Sequence, residues 1–261
     1  MTSTNPFFPN AVGEYNTERT QQCSHMPHMA MCFVLDVSGS MTIPRSMGKT
    51  ALDALNDGMN LFIKTAREDK DTCPILDVAI ITFDHEIQVV HNFITVEDMQ
   101  PVKFLSRNGG TCFAPPMKTA IQMVRERRRY YQQYTPPFKP WIVLITDGQR
   151  EDHESEQAFN SVVGELQREQ IDGKLAVRSL GVEGYDSKTL HLLSDYPRTD
   201  GKAQWYQNVL KLEGFDFTGF FNWVQKSMAA ISRSAPSQTV PPAALQQSSG
   251  VSVDLDLSRM G

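Results

Sequence analysis

The chain has 261 residues, of which 40% are hydrophobic and 21% charged, and a formal net charge of −5. That composition supports a sizeable core in one large domain or two small ones, and the mild negative charge argues against nucleic acid as a partner. The longest apolar runs are strand-sized, well short of the roughly 20 residues that a membrane helix requires.

Residues 1–28 are polar, with Pro6, Pro9 and Pro27, and read as an N-terminal arm. The start, Met1-Thr2-Ser3-Thr4-Asn5-Pro6, carries neither a basic segment nor an apolar one, so no signal peptide is expected and the cytoplasm is the expected location. Cys23, Cys32, Cys73 and Cys112 form no CxxC pair and no zinc-ribbon spacing. They are expected to be free thiols in that compartment. Cys23, His25 and His28 lie close together but lack a fourth ligand, and a polar lead-in to the first strand is the better reading.

Residues 29–36 are strand-like, and Leu52, Leu55, Met59, Phe62 and Ile63 recur at helical spacing within 48–68. Leu76 to Phe83 reads as a buried strand, with Glu86 to Phe93 as its antiparallel neighbour across Asp84-His85. Gly109-Gly110-Thr111-Cys112 is a loop, and Pro115 to Tyr134 a helix with prolines where a first turn tolerates them. Trp141 to Thr146 is a core strand, Ser155 to Gln170 a helix, Leu175 to Val182 a strand and Ser187 to Ser194 a short helix. A last strand is expected over Ala203 to Gln207 and a closing helix over Phe215 to Arg233, with Phe217, Phe220, Phe221, Val224 and Met228 inward. Strands alternating with helices predict an α/β fold with a mostly parallel sheet covered on both faces. Residues 235–261 are rich in Pro, Ser and Gln and read as a flexible tail. The alternating run from Val251 to Leu257 could instead add a strand to a sheet edge.

The most informative stretch is Phe33-Val34-Leu35-Asp36-Val37-Ser38-Gly39-Ser40-Met41. A buried strand ends in a carboxylate, and two hydroxyls follow at alternate positions. Three hard oxygen side chains so close together suit a hard divalent cation, Mg²⁺ above all, with Mn²⁺ or Ca²⁺ as alternatives. Three ligands do not fill an octahedron. In an open α/β sheet, ligands gather at the carboxyl ends of the strands, and two further oxygens are predicted there. Asp147 ends the strand Ile142-Val143-Leu144-Ile145-Thr146, and Thr111 sits in the glycine-rich loop, where the backbone can approach an ion closely.

Asp36, Ser38, Ser40, Thr111 and Asp147 follow the order D-x-S-x-S, then threonine, then aspartate. In this the chain resembles a von Willebrand factor type A (VWA) domain with an intact metal-ion-dependent adhesion site, over about residues 29–233. The runs Val78-Ala79-Ile80-Ile81-Thr82-Phe83-Asp84, Gly109-Gly110-Thr111, Val143-Leu144-Ile145-Thr146-Asp147-Gly148 and Phe221-Asn222-Trp223-Val224-Gln225-Lys226-Ser227 are similar to bacterial cytosolic VWA proteins of the tellurium-resistance-associated (TerY-like) group. Cys112 stands where that group has serine or another small residue, and the zinc-binding extension of some relatives is not found in this sequence.

The resemblance implies a Rossmann-like, doubly wound sheet with one antiparallel edge strand. It divides the chain into an arm (1–28), the VWA domain (29–233) and a flexible tail (234–261). It also implies roles for the five residues: Ser38 and Ser40 bind the metal directly, Asp36 and Asp147 supply charge directly or through water, and Thr111 binds in the ligand-competent state. One coordination position is left for a Glu or Asp of a protein partner. In relatives, metal engagement can be coupled to a shift of the last helix. The implied function is a Mg²⁺-dependent adaptor or scaffold in a bacterial stress-response or defence system, with a kinase and phosphatase encoded nearby as further candidate partners.

The rival reading is a metal-dependent hydrolase or phosphatase using Asp36. A haloacid-dehalogenase-type site needs a second carboxylate two residues on, where Ser38 stands. Gly48-Lys49-Thr50 lacks the P-loop's first glycine, since position 43 is Ile43, and His153-Glu154 lacks the zincin's second histidine, since position 157 is Gln157. No G-x-S-x-G elbow occurs, so the chain is expected not to be an enzyme. Taken singly, Ser38 and Ser40 could be turn and cap residues and Asp147-Gly148 a simple turn. Arg125, Arg127, Arg128 and Arg129 are expected to be a solvated helix face, and Trp141, Trp205 and Trp223 packing residues.

Overall fold

Successive side chains of a strand point to opposite faces, and Met29–Asp36 (β1) is buried along its whole length, so it must be covered on both sides. Met29, Met31, Phe33 and Leu35 enter one apolar core and Ala30, Cys32 and Val34 the other. Leu76–Phe83 (β2) and Trp141–Thr146 (β4) flank β1 in parallel and divide their side chains in the same way. The structure is a computed structural model and describes residues 25–44, 48–199, 205–214, 217–236 and 250–256.

Among the described residues the sheet has seven strands, in the order β3-β2-β1-β4-β5-β8-β9. Here β3 is Ile87–Thr95, β5 Ala176–Gly181, β8 Val209–Leu212 and β9 Val251–Val253. The inner strands are parallel; β3 at one edge and β9 at the other are antiparallel to their neighbours. Ala51–Glu68 (α1) and Thr218–Ser232 (α5) contribute to the core that takes Phe33, and Ala114–Tyr131 (α2), Glu156–Ile171 (α3) and Ser187–Ser194 (α4) to the other. This is an α/β doubly wound fold, as the alternation of elements predicts.

Three sequence expectations change. The run 203–207 is not the last strand of the main sheet: Trp205–Tyr206 (β7) pairs with Tyr196–Pro197 (β6) in a separate two-stranded ribbon, and β8 takes the main-sheet position. Ala203 and Gln204 lie outside the described residues. Strands of only two residues carry no period, which hid this break. Within the predicted flexible tail, 251–253 takes the strand option and pairs antiparallel with β8; the alternation that suggested it places Val251 in the core. The third concerns Arg127, which is not part of a solvated face. It turns inward to Asp77, its Nη2 2.7 Å from the carboxylate, beside the Tyr131 hydroxyl and with His28 Nδ1 3.3 Å from the same oxygen. His28 is therefore part of a buried polar cluster, and Cys23 lies outside the described residues. Trp141 and Trp223 pack against each other in the core, whereas Trp205 is only half-buried.

Helix α1 begins with a reciprocal cap: the Thr50 hydroxyl accepts from Asp53 N at 3.0 Å while the Asp53 carboxylate faces the Thr50 N–H and hydroxyl. It packs on α5 at Gly58, where an added Cβ would lie 2.7 Å from Phe217 Cβ and 2.8 Å from the Phe221 ring. We expect Gly58→Ala to destabilise the fold by about 1–2 kcal/mol in urea titration, because overpacking outweighs the gain in helix propensity. At Asp77, burial alone would raise the carboxyl. The hydrogen bond and charge of His28, the charge of Arg127 and the Tyr131 hydroxyl outweigh it and hold the group at about 2. The folded value is below the unfolded one, so this contribution is present above about pH 4 and lost as pH falls towards 2. It should amount to about 2 kcal/mol. Urea midpoints measured between pH 5 and pH 2 should show that loss in the wild type and not in Asp77→Asn.

Candidate metal centre

The chain crosses from β1 to β2 through α1 on one face, and from β3 to β4 through α2 on the other. Strand order therefore reverses between β1 and β4, where α/β sheets open a crevice at their carboxyl ends. Leu35 pairs with Ile145 in register, so the residues that leave these two strands, Asp36 and Thr146-Asp147, emerge side by side.

Asp36 is fully buried. Its Oδ1 accepts from Ser38 N at 2.8 Å, and its Oδ2 accepts from the Thr146 hydroxyl and lies 3.5 Å from Thr111 Oγ1. After Ser38 the backbone enters a single 3₁₀ turn, Gly39–Thr42, closed by the Thr42 hydroxyl donating to Gly39 O at 2.7 Å. That turn brings Ser38 Oγ and Ser40 Oγ to 3.0 Å, and Ser40 Oγ donates to Asp147 Oδ1 at 2.7 Å. All five residues predicted from the sequence thus occupy one place, on three loops, and only Ser40 is more than marginally accessible.

Gly148 is required by this closeness: a Cβ there would lie 2.5 Å from Thr111 Oγ1 and 3.0 Å from Asp36 Oδ2. A Cβ on Gly109 would strike the His85 ring, and one on Gly110 the Glu151 carboxylate. The backbone between them is tied at Gly109, whose carbonyl accepts from Gly39 N at 3.0 Å, and at Thr111, whose carbonyl accepts from Glu151 N at 3.1 Å.

Burial pushes the Asp36 carboxyl up to about 6; hydrogen bonds from Ser38 and Thr146 oppose the rise and the charge of Asp147 adds to it. The hydrogen bonds that Asp36 accepts come from neutral donors, two hydroxyls and an amide. A second carboxylate adjoins it across the serines. Two buried carboxylates ringed by hydroxyl oxygens fit a hard divalent cation, which would stabilise both charges at once. Among the described residues no group of three or more His, Cys, Asp and Glu side chains is placed to hold a metal; the oxygens gathered here come from two carboxylates and three hydroxyls.

Further residues outside the five-residue motif contribute to the site. Thr146 joins Asp36 to the next loop, since its hydroxyl donates to Asp36 and accepts from Gly148 N at 2.9 Å; its place before Asp147 is the only sequence signal. Glu154 caps α2 by accepting from Ala114 N at 2.6 Å, and Asp84 and Arg107 form an ion pair beside the threonine loop. Cys112 lies at the rim with its Sγ 3.7 Å from His153 Nε2.

Residues 31–149 match the family model of the von Willebrand factor type A domain, a span that contains all five site residues. No curated protein sequence matches the chain. Among solved structures, a point mutant of the PilB minor pilin from Streptococcus sanguinis is similar with a TM-score of 0.56 and 13% identity, covering 78% of this chain and 62% of that one. A von Willebrand factor type A protein from Catenulispora acidiphila gives 0.54 and 15%, covering 78% and 43%. Proximal thread matrix protein 1 from the mussel byssus gives 0.51 and 14%, covering 77% and 48%. The chain thus spans 43% to 62% of the lengths of these proteins, and at such identities the likeness is one of fold. Among the described residues no helix is long and apolar enough to cross a membrane. Residues 31–149 thus carry the pattern of a von Willebrand factor type A domain.

Proposed function

We propose that this chain is a Mg²⁺-dependent protein-binding module in which Asp36, Ser38, Ser40, Thr111 and Asp147 hold the cation and a Glu or Asp of the partner completes its coordination. The observation that carries this reading is the convergence of those five oxygens, from three loops, at the switch point of the sheet. VWA domains are typically metal-dependent interaction modules, which supports it. The charge balance supports it too. Two aspartates offset the charge of a divalent ion, and neutral hydroxyls leave it attractive to one further carboxylate; more carboxylates would satisfy it.

Binding rather than turnover follows from the same donor set, because the position that a phosphatase gives to a general acid is Ser38. The similarity of the strand and loop motifs to the tellurium-resistance-associated group supports an adaptor or scaffold role in a bacterial cytoplasmic stress response, beside a kinase and phosphatase. Genomic neighbours bear directly on that assignment.

Saturating Mg²⁺ should raise the melting temperature of the wild type: at a hundredfold excess over Kd the gain is about 2.7 kcal/mol, or roughly 5–10 °C for a domain of this size. Asp36→Ala should show no such rise. Pulldown from lysate in Mg²⁺, read by mass spectrometry, should enrich a partner on the wild type that is lost with EDTA and with Asp36→Ala; equal capture in all three would sink the proposal. Gly148→Ala should push Thr111 away from Asp36 and weaken Mg²⁺ binding by about tenfold in calorimetry, in the range that misplaced ligand support costs.

A further inference from the structure

We propose that the ion pair of Asp84 with Arg107 is a clasp that presets the loop carrying Thr111, and so sets the affinity of the metal site before any cation arrives. This rests on the metal-binding reading above and adds to it the positioning residues that the five ligands do not include.

Asp84 is the first residue after β2 and is buried. It holds both ends of the segment 107–112. At the near end Arg107 forks onto its carboxylate, with Nη2 3.0 Å from Oδ1 and Nε 3.3 Å from Oδ2. The same Nη2 reaches Glu86 O at 3.1 Å. At the far end the Asp84 carbonyl accepts from Cys112 N at 3.4 Å, immediately after Thr111. Asp84 is itself fixed by the turn that follows it, since its Oδ1 accepts from Glu86 N at 2.9 Å and its N–H donates to Glu86 O at 3.0 Å. Between the two anchors Asn108 has φ 59°, in the left-handed region that asparagine enters more readily than most side chains. Gly109, whose Cα approaches His85 and Asp84 too closely for a side chain, then hydrogen-bonds to Gly39 of the serine turn.

An ion pair on an open surface contributes little. This one differs in geometry. The Asp84 side chain is fully buried and Arg107 only one-third exposed. The contact is a two-point fork with a third bond to a carbonyl, which fixes the direction of the guanidinium as well as its distance. Preorganisation of this kind lowers the entropy that ligation of Thr111 would otherwise cost. A lysine in place of Arg107 would keep the charge and lose the fork.

The test uses the full chain and Mg²⁺ as the probe. Arg107→Gln and Asp84→Asn should each weaken Mg²⁺ binding by about tenfold in calorimetry, as loss of groups that orient ligands does elsewhere. Arg107→Lys should fall between them and the wild type. In metal-free protein, amide hydrogen exchange at residues 109–112 should quicken in the Arg107 variants by more than any change in their urea midpoint accounts for. Arg107 is partly exposed, so its variants should fold even if Asp84→Asn does not. If the wild type binds Mg²⁺ and Arg107→Gln binds it equally well, the clasp proposal alone falls. The same follows if affinity drops only in step with global stability. If the wild type binds no divalent cation, the metal reading and the clasp fall together.

Discussion

The parallel pairing of β1 with β4, with Leu35 opposite Ile145, is the constraint on which the rest of the site depends. A slip of one residue would turn every side chain of β1 to the other face, exchanging Phe33 and Leu35 with Cys32 and Val34 across two differently shaped cores. Packing therefore pins the register, and the register fixes where the two strands end. Asp36 and Asp147 are neighbours because the aromatic side of the core will not accept β1 in another position. There Phe33 meets Phe62 and Phe221 at ring distances of 5.3 and 6.0 Å.

Two aspartates equally shut off from water show what the site lacks. Asp77, near the start of β2, is met by Arg127, His28 and Tyr131, and its carboxyl is held near 2. Asp36, at the end of β1, meets amide and hydroxyl donors, and burial drives its carboxyl to about 6. The interior has supplied a cation for one carboxylate and only neutral donors for the other. A buried charge without a counter-charge is costly, and a cation bound in the crevice, as proposed, would offset that cost. The paired aspartate serves the structure; on the proposed reading, the other is where a bound cation would supply the missing counter-charge.

How much of this could be read in the sequence follows from the distance over which each feature is determined. Strands β1, β2 and β4 were legible because continuous apolar runs ending in Asp or in a turn leave few alternatives. The nearness of the five candidate residues was legible because three of them lie within five positions and the other two stand beside recognisable turns. The ribbon of β6 and β7 was not, since two-residue strands carry no period, and neither was β8, whose run Val209-Leu210-Lys211-Leu212 is too short to distinguish from a helical edge. Arg127 was misread because a run of arginines on a helix suggests one solvated face. Helical geometry turns each residue by about 100° from the last, so one of the four points inward while Arg125 meets Glu165 and Glu169 at the surface. Arg107 lies 23 residues from Asp84, and nothing local to either residue announces their contact.

The last strand shows the same logic at the sheet's far edge. Without β9 the outer side of β8 would present open backbone groups, the feature that invites pairing with another chain. Val251 enters the core beside Leu212, and Asp254, just past the strand, accepts from Tyr185 Oη at 2.8 Å and Ser187 Oγ at 2.6 Å. Gln207 and Asp256 exchange a reciprocal pair of hydrogen bonds, 3.2 and 2.8 Å, a little further on. The contacts to Tyr185 and Ser187 bind the strand to the segment that follows β5, and that segment reaches the crevice through Asp186 N donating to Gly148 O at 3.4 Å. The strand's anchorage and the loops of the candidate site therefore share one stretch of backbone. The free edge carries charge at Asp254 and Asp256 next to the exposed Val253 and Leu255, which discourages further strand addition.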